Sequence, residues 1–414
     1  MSKSNILPIR VMRILLSVLF SSIVLIGSEM EWKAEFRARV ERDTVSAPND
    51  TASTHGQSSL THFRSRLILR MSQGSLSGAV QFQDVRILGA PENASGKTGQ
   101  DQNTIAFSQA YIQYRIKNNG RMRIGRFDLP LGNERLFSRN QWSLHGRFFE
   151  GFLAEYEFGQ LAVTKVFRVY LEENYANFSS DGDDTIIDGF YVTSKNPFTR
   201  MNSISGLELY GFRELNIGNT ADAIQRNTYG GRLTGNLNLL VVGFALEFEG
   251  AIQSGFAPGF NSIEGNMSVL NFIFDIPMLF NSQITIGLEN YSGDNSATED
   301  IGEGFANPYG AGHKWHGYMD YHKMFPTNGE MGLNETSLRF QVPIFDTYRL
   351  AIHTHDFQSG NGSVEFGSEI DIVFTINAGP RLSFSQGYSR YTHKNGSWKT
   401  GTDEFAYFSI SAVL

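Results

Sequence analysis

The sequence predicts an all-β fold, a transmembrane antiparallel up-and-down β-barrel of about 18 strands with short periplasmic turns and long extracellular loops. Three observations lead to this prediction: an N-terminal export signal, an alternation of apolar and polar residues, and connections between strands that alternate between short and long. The 414 residues suffice for one large β architecture. Apart from the N-terminal signal, the sequence has no long apolar run of the kind that forms a membrane-spanning helix.

The N-terminus has the features of a secretory signal peptide. A basic segment precedes the apolar run 14–26, and the small residues Gly27 and Ser28 follow it near a plausible cleavage point. The run is shorter than the ~20 apolar residues that a spanning helix needs, which disfavours an uncleaved anchor. The predicted domains are therefore a signal peptide over 1–28 and an outer-membrane barrel over 29–414.

The rest of the chain alternates between apolar and polar residues with a period of two. In residues 32–41 (WKAEFRARVE) every even position is apolar and every odd position is charged. Successive side chains of a strand point to opposite faces, so this strand has one apolar face and one charged face. A membrane barrel turns such an apolar face to lipid and the polar face to its lumen. The same pattern returns in 63–71, 110–116, 244–253, 337–342 and 369–376.

The links between strands give the topology. Links after even-numbered strands are mostly short and several links after odd-numbered strands are long, which is the asymmetry of outer-membrane barrels. The final strand carries Phe408, Ile410, Ala412 and Leu414 on one face, similar to the terminal insertion signal of bacterial outer-membrane proteins. The candidate strands are near 31–43, 59–73, 75–88, 104–117, 120–128, 147–158, 160–172, 184–196, 202–215, 223–236, 241–255, 264–276, 281–292, 330–342, 347–358, 364–377, 380–392 and 403–414.

Composition excludes several classes of function. Lys plus Arg is 35 and Asp plus Glu is 42, so the net charge is 35 − 42 = −7, which argues against a nucleic-acid binder. The chain has no Cys, which removes disulfides, Cys-ligated zinc, iron–sulfur clusters and thiol catalysis.

The lumen is expected to be wet and rich in arginine. An eighteen-stranded barrel is too wide for side chains to fill, and basic residues cluster on its predicted lumen face before residue 130. The planar guanidinium fork binds carboxylates bidentately, which favours anions. The predicted anion contacts that follow from strand parity are Arg64, Arg66, Arg115 and Arg232. The carboxylates predicted to pair with these bases or screen them are Glu247, Glu249, Glu369 and Asp371. The alternative is a ladder of paired charges that only hydrates and rigidifies the wall.

Short motifs occur in a specific order from about residue 60 to the end of the chain. They are VQFQDVR (80–86), GRF (125–127), GNERL (132–136), RFFEG (147–151), TYGGR (228–232) with Glu249 and Gln253, SGD (292–294), HKWHG (313–317) with Asp320, and GSEID (367–371). In this order they resemble the alginate-export family of outer-membrane barrels, with Glu150 in place of an Asp. The resemblance adds Arg126, Arg135 and Arg147 to the predicted anion contacts.

The resemblance implies a channel in the outer membrane of a Gram-negative-type bacterium. It would pass anionic polysaccharide, such as an alginate-like polyuronate, or related anionic solutes by passive diffusion. The expected partners are outer-membrane lipid, the transported anion and periplasmic export components, with no nucleic acid and no cofactor. A general or small-solute porin with little selectivity stays open, as does a closed barrel for ligand binding or adhesion. The sequence leaves the transported substance, its direction and the oligomeric state open.

The long loop over about 293–329 is a second candidate for function. It is long enough to fold inwards and constrict or cap the pore, and its aromatic residues favour packing over disorder. Its residues His313, His316, His322 and Asp320 suggest a transition-metal site. Their spacing matches no familiar zinc pattern, so no metal is expected and packing or rim contacts are favoured.

Three smaller clusters also need an interpretation. Ser143, His145 and Glu150 are close in sequence, but this is no evidence of a catalytic triad, and an enzyme is not expected. His353 and His355 share a strand face that strand parity assigns to the lumen. A solvated loop is favoured over a calcium site for the acidic residues Asp181, Asp183, Asp184 and Asp188.

Overall fold

The structure is a computed structural model. The residues that it describes are 29–44, 58–89, 104–117, 119–171, 185–194, 204–216, 223–239, 242–294, 298, 300–322, 331–345, 347–394 and 400–414. The predicted signal peptide over 1–28 and the acidic residues Asp181, Asp183 and Asp184 lie outside the described residues. Among the described residues, no helix has the length and apolar character needed to cross a membrane.

Within these ranges, the regular secondary structure is β-strand apart from one short helix. The elements are β1 (Glu29–Asp43), β2 (Ser58–Gln73), β3 (Leu76–Leu88), β4 (Thr104–Ile116), β5 (Gly120–Phe127), β6 (Phe149–Phe158), β7 (Ala162–Leu171), β8 (Thr185–Ser194), β9 (Ile204–Asn216), β10 (Ile224–Leu239), β11 (Val242–Ala257), β12 (Phe260–Ile263), β13 (Asn266–Ile276), β14 (Ser282–Tyr291), β15 (Ile301–Gly302), α1 (Gly312–Trp315), β16 (Leu333–Ile344), β17 (Tyr348–Gln358), β18 (Glu365–Asn377), β19 (Leu382–His393) and β20 (Gly401–Val413).

The strands close into one antiparallel barrel. Each barrel strand pairs with the next along the chain, and β1 pairs with β20, with Val40 opposite Phe408. Closure leaves no unpaired edge, which is what a sheet in lipid requires. The short strands β12 and β15 pair in parallel above the wall, so the barrel of the described chain has 18 strands. The predicted fold is confirmed, and the predicted segments overlap these strands one for one.

Burial is inverted relative to a soluble protein. Apolar side chains such as Ile112 and Ile252 are more than 60% exposed on the outer face, while Glu335 and Asp371 are at most 1% exposed inside. The outer face therefore meets lipid, and the charged face points into the lumen as the alternation predicts.

The turns at the periplasmic end are tight. Gly74, Gly159 and Gly379 adopt φ values of +59°, +57° and +89°, a backbone region that side chains with a Cβ disfavour. Two long connections that the structure describes wholly or in part, 128–148 and 292–332, leave their strands at the opposite end, in agreement with the predicted asymmetry of links.

Replacing Phe248 by Arg tests the lipid-facing assignment. Phe248 is 47% exposed near the middle of β11, between Leu233 and Leu270 of the flanking strands. We expect the free energy of unfolding in lipid vesicles to fall by about 2–4 kcal/mol, because a charge at the bilayer midplane loses its hydration. Phe248→Leu is the matched control, and equal stability of both variants would contradict the assignment.

Candidate functional site

Two extracellular loops fold back into the lumen. The first inner loop, residues 128–148, joins β5 to β6, and the second inner loop, residues 292–332, joins β14 to β16. Phe137 of the first loop and Phe305 of the second are fully buried within the barrel. The sequence indicated that the second loop is long enough to fold inwards, and its described part does so, whereas the inward fold of the first loop was not predicted.

The two loops bind each other. The Ser138 amide donates to the Tyr309 carbonyl at 2.9 Å, and the rings of Phe137 and Tyr309 have centroids 5.2 Å apart. Near the β1–β2 wall, the rings of Trp142 and His313 stack at 3.7 Å. The loops therefore form one plug-like layer with a shared aromatic core.

Arginines of β1 and β2 hold the first inner loop. Arg37 donates to the Gln141 carbonyl at 2.6 Å, and Arg64 donates to the carbonyls of Gln141 and Ser143 at 3.3 Å. Arg66 donates to the Gln141 side-chain oxygen at 3.0 Å. The lumen positions predicted for Arg64 and Arg66 are thus those of loop tethers.

These three arginines differ from most lumen bases in their partners. Among the described residues, none of the guanidinium groups of Arg37, Arg64 and Arg66 has a carboxylate oxygen within 4.0 Å. Arg39, by contrast, forms an ion pair with Glu41 at 2.5 Å. Neutral oxygens are therefore the direct partners of these three guanidinium groups, while Glu35 of β1 acts on Arg64 and Arg66 from a longer distance.

Arg135 of the first inner loop lies at the centre of a buried ion network. Its guanidinium is 2.5 Å from Glu289, 3.1 Å from the Tyr291 hydroxyl and 3.6 Å from Glu249, and it stacks at 4.2 Å over Trp315. Burial acts to lower the pKa of Arg135, but Glu289, Tyr291 and Glu249 outweigh it and raise the pKa. Arg135 is therefore a permanent cation enclosed by the barrel, out of reach of a passing solute.

A second ion network lies beside it on β9, β10 and β11. Arg232 is 2.6 Å from Glu208 and 3.1 Å from Glu247. Asn133 of the first inner loop donates to Glu247 at 3.2 Å and to Glu249 at 3.0 Å. Two predicted carboxylates, Glu247 and Glu249, thus neutralise predicted bases and also bind the loop.

Arg147 ends the first inner loop and holds the second. It donates to the backbone carbonyls of Pro308, at 3.1 Å, and of Tyr309. Arg115 lies at the periplasmic end of β4, where it is exposed and opposite Arg121. Arg147 therefore joins the two inner loops. Arg115, by contrast, is exposed to solvent.

The structure corrects the placement of Arg126. It lies on the outer face of β5 with Ile124, and it pairs across the strands with Glu150 at 2.7 Å. Ser143 and His145 lie on the lumen side in the first inner loop, where their carbonyls accept hydrogen bonds from Arg64 and Arg66 of β2. Glu150 is thus separated from them by the barrel wall, and the three residues do not assemble into a triad.

Glu369 and Asp371 differ from their predicted role. Among the described residues, neither has a Lys or Arg nitrogen within 4.0 Å. One Glu369 oxygen accepts the backbone N–H groups of Tyr318 and Met319 at 2.6 and 2.8 Å. Asp371 lies 3.5 Å from His355, whose predicted lumen orientation is confirmed. Glu369 is therefore a backbone clamp for the second inner loop.

The histidines of the second inner loop have separate partners. His313 contacts Asp320 at 2.9 Å, and His316 contacts Glu335 of β16 at 2.7 Å. His322 packs among buried aromatic rings, where burial lowers its pKa to about 3. The metal site considered for these residues is not formed.

Asp188, the described member of the acidic cluster, pairs with Arg168 on the outer face at 2.6 Å.

Sequence reasoning missed Glu289 and Tyr291, which surround Arg135. Both lie on the lumen face of β14 by the same parity that identified other lumen residues. The composition of the first inner loop could have indicated that it folds inwards, because its apolar residues are unusual for a solvated extracellular loop. They are Leu129, Leu131, Leu136, Phe137, Leu144 and Phe148.

Replacing Arg135 by Gln tests the central network. The change removes the nearest cation from Glu249 and Glu289, leaving Glu289 with Arg339 at 3.6 Å, and we expect the free energy of unfolding to fall by about 3–5 kcal/mol. Arg168→Gln removes an exposed outer-face pair and should leave stability unchanged. Denaturant titration of both variants in detergent makes the comparison, and equal midpoints would contradict a central role.

The low pKa of His322 predicts acid sensitivity of the second inner loop. Its pKa is about 3 when docked and about 6.5 when released, so acidification in that window protonates the released state first. Docking should therefore be strongest above pH 6.5 and weaken as the pH falls towards 3. Hydrogen exchange of 312–322 against pH measures it. His322→Phe should be less acid-sensitive, and identical profiles would refute the prediction.

The comparisons with solved structures agree with this fold. Pseudomonas aeruginosa OpdK, solved with vanillate, superposes with a TM-score of 0.64 at 12% identity over 93% of this chain and 98% of that chain. Pseudomonas aeruginosa OccK9 (OpdG) gives 0.63 at 10% over 93% and 98%. Acinetobacter baumannii OccAB1 gives 0.63 at 10% over 93% and 96%. At these identities the likeness shows the fold.

The family comparison extends over most of the chain. The family model described as alginate export matches residues 27–395. No curated protein sequence matches the chain significantly. The family and fold are those of outer-membrane channels, which are not enzymes. The chain therefore belongs to the alginate export family, and it is an outer-membrane channel.

Proposed function

We propose that this channel passes an anionic polysaccharide of the polyuronate type, and that Arg37, Arg64 and Arg66 bind its carboxylates. One observation supports this most directly: the three guanidinium groups face the lumen with carbonyl and amide oxygens as partners. A buried guanidinium whose direct hydrogen-bond partners are neutral attracts an anion more strongly than one already paired with a carboxylate.

The same contacts suggest how the first inner loop responds to the solute. Arg37 and Arg64 both donate to the Gln141 carbonyl. A uronate carboxylate forms charge-assisted, bidentate bonds that are roughly twice as strong as bonds to neutral acceptors. It can therefore replace the carbonyl, free the loop and move on to the next arginine. In this scheme, a polyanion diffuses through the channel as its carboxylates exchange between arginines, and no energy source is needed.

A second candidate is a channel for small carboxylates. Pseudomonas aeruginosa OpdK was solved with vanillate, an aromatic carboxylate. The plug-like layer formed by both inner loops narrows the lumen, which favours small solutes unless the loops move. The third candidate function is a general porin with little selectivity. Periplasmic export components remain predicted partners.

Conductance in planar bilayers under a KCl gradient tests the anion pathway. We expect a reversal potential of anion preference, and block by uronate oligomers but not by neutral oligosaccharides of equal length. In Arg64→Gln with Arg66→Gln, anion preference should weaken and the blocking concentration should rise roughly tenfold or more, because charged hydrogen bonds are lost. Arg168→Gln on the outer face is the matched control.

The outcomes separate the three candidates. Block that strengthens with oligomer length supports a polyuronate route, whereas block by vanillate with no effect of longer oligomers supports small carboxylates. An open pore without preference, unchanged in the double variant, would overturn the proposal in favour of a general porin. Heat-modifiable mobility on gels checks that each variant is folded.

A further inference from the structure

We propose that His353 and His355 of β17 and Asp371 of β18 bind a divalent transition-metal ion inside the barrel, with Glu369 as a further ligand. The strands are neighbours, with His353 opposite Asp371 and His355 opposite Glu369. All four side chains face the lumen and are between 1% and 7% exposed. The ligand atoms of the two histidines and Asp371 lie within 4.8 Å of one another.

Several buried polar atoms of the cluster lack a hydrogen-bond partner among the described residues. They are Nε2 of His353, Nε2 of His355, both carboxylate oxygens of Asp371 and Oε2 of Glu369. Buried polar atoms are nearly always paired, because an unpaired one has lost its hydration without compensation. Five such atoms in one place point to a missing partner that accepts lone pairs from all of them, as a metal ion does.

The geometry fits coordination. His355 Nε2 lies 3.5 Å from Asp371 Oδ2. Two ligand atoms bound to one tetrahedral metal are about 3.4 Å apart, because each lies about 2.1 Å from the ion. On its other side, His355 Nδ1 contacts Glu335 at 2.7 Å. This contact fixes the ring and leaves Nε2 free to coordinate, as in carboxylate–histidine–metal arrangements.

The charges also require a cation or a proton. The carboxyl groups of Glu369 and Asp371 are adjacent, and among the described residues no Lys or Arg lies within 4.0 Å of either. A proton shared by the two carboxyls relieves their repulsion but leaves both imidazole nitrogens unpaired. A metal ion satisfies all of them. Two imidazoles with carboxylate oxygens suit Zn²⁺, Co²⁺ or Fe²⁺ better than Ca²⁺ or Mg²⁺.

An ion can reach the cluster from the lumen. His353 lines a cavity of about 590 Å³ together with Tyr318 and Arg339. Glu369, whose Oε2 is the oxygen proposed to bind the ion, holds the backbone of Tyr318 and Met319 through Oε1. Metal binding would therefore fix Glu369 and with it the second inner loop.

The test uses the full-length barrel purified from outer membranes with a tag that contains no histidine. Zn²⁺ is counted by elemental analysis after dialysis, and Co²⁺ is followed by its visible absorption. We expect one ion per chain, and a loss of affinity of at least about 100-fold in His355→Asn and in Asp371→Asn. His393→Gln is the matched control, because His393 pairs with Asp403 at 2.8 Å outside the cluster.

Two results would overturn the proposal. One is no stoichiometric Zn²⁺ or Co²⁺ in the folded wild type. The other is binding that survives both cluster variants or that is lost equally in His393→Gln. Because a cluster variant can fail to fold, heat-modifiable mobility is checked first, and Asp371→Glu, which keeps a carboxylate, should retain Co²⁺ absorption. These readouts do not depend on the solute that the channel carries.

Discussion

The ion pair between Arg135 and Glu289 is the interaction on which the interior of this barrel depends. Eighteen strands enclose more space than their own side chains can fill, so the interior needs material from the loops. The first inner loop supplies it, but it brings a guanidinium into a region without water. Glu289, Glu249 and the Tyr291 hydroxyl compensate that charge, and Trp315 covers it. Loop docking and the acidic face of the wall therefore stabilise each other.

The lumen arginines fall into two groups with different chemistry. Arg135 and Arg232 bind carboxylates, and their charge is consumed within the wall. Arg37, Arg64 and Arg66 bind neutral oxygens, so a carboxylate from outside gains more from them. The paired ladder lies towards β9–β14, whereas the arginines with neutral direct partners, which we propose attract anions, lie on β1 and β2.

The strands could be predicted from the sequence because alternation is local, whereas the loops could not, because their partners are distant. Arg37 binds Gln141, 104 residues along the chain, and no pattern of period two contains that contact. Arg126 was predicted to contact the anion because of the motif resemblance. It lies three residues from the lumen-facing Arg123, however, so the alternation of side chains along β5 places it on the outer face, where the structure has it. Glu369 was expected to pair with bases, but its role as a clamp depends on where a loop returns to the wall.

The two inner loops are anchored on different strands of the wall and contact each other within the lumen. Arginines of β1 and β2 hold the first loop, while Glu335 and Glu369 hold the second. The stack of Trp142 on His313 joins them. In the proposed function, a solute that displaces the first inner loop from Arg37 and Arg64 also acts on Trp142 and, through it, on His313 of the second loop. Glu369 holds the second loop from β18, so we propose that these two anchors together set how readily the layer of loops opens.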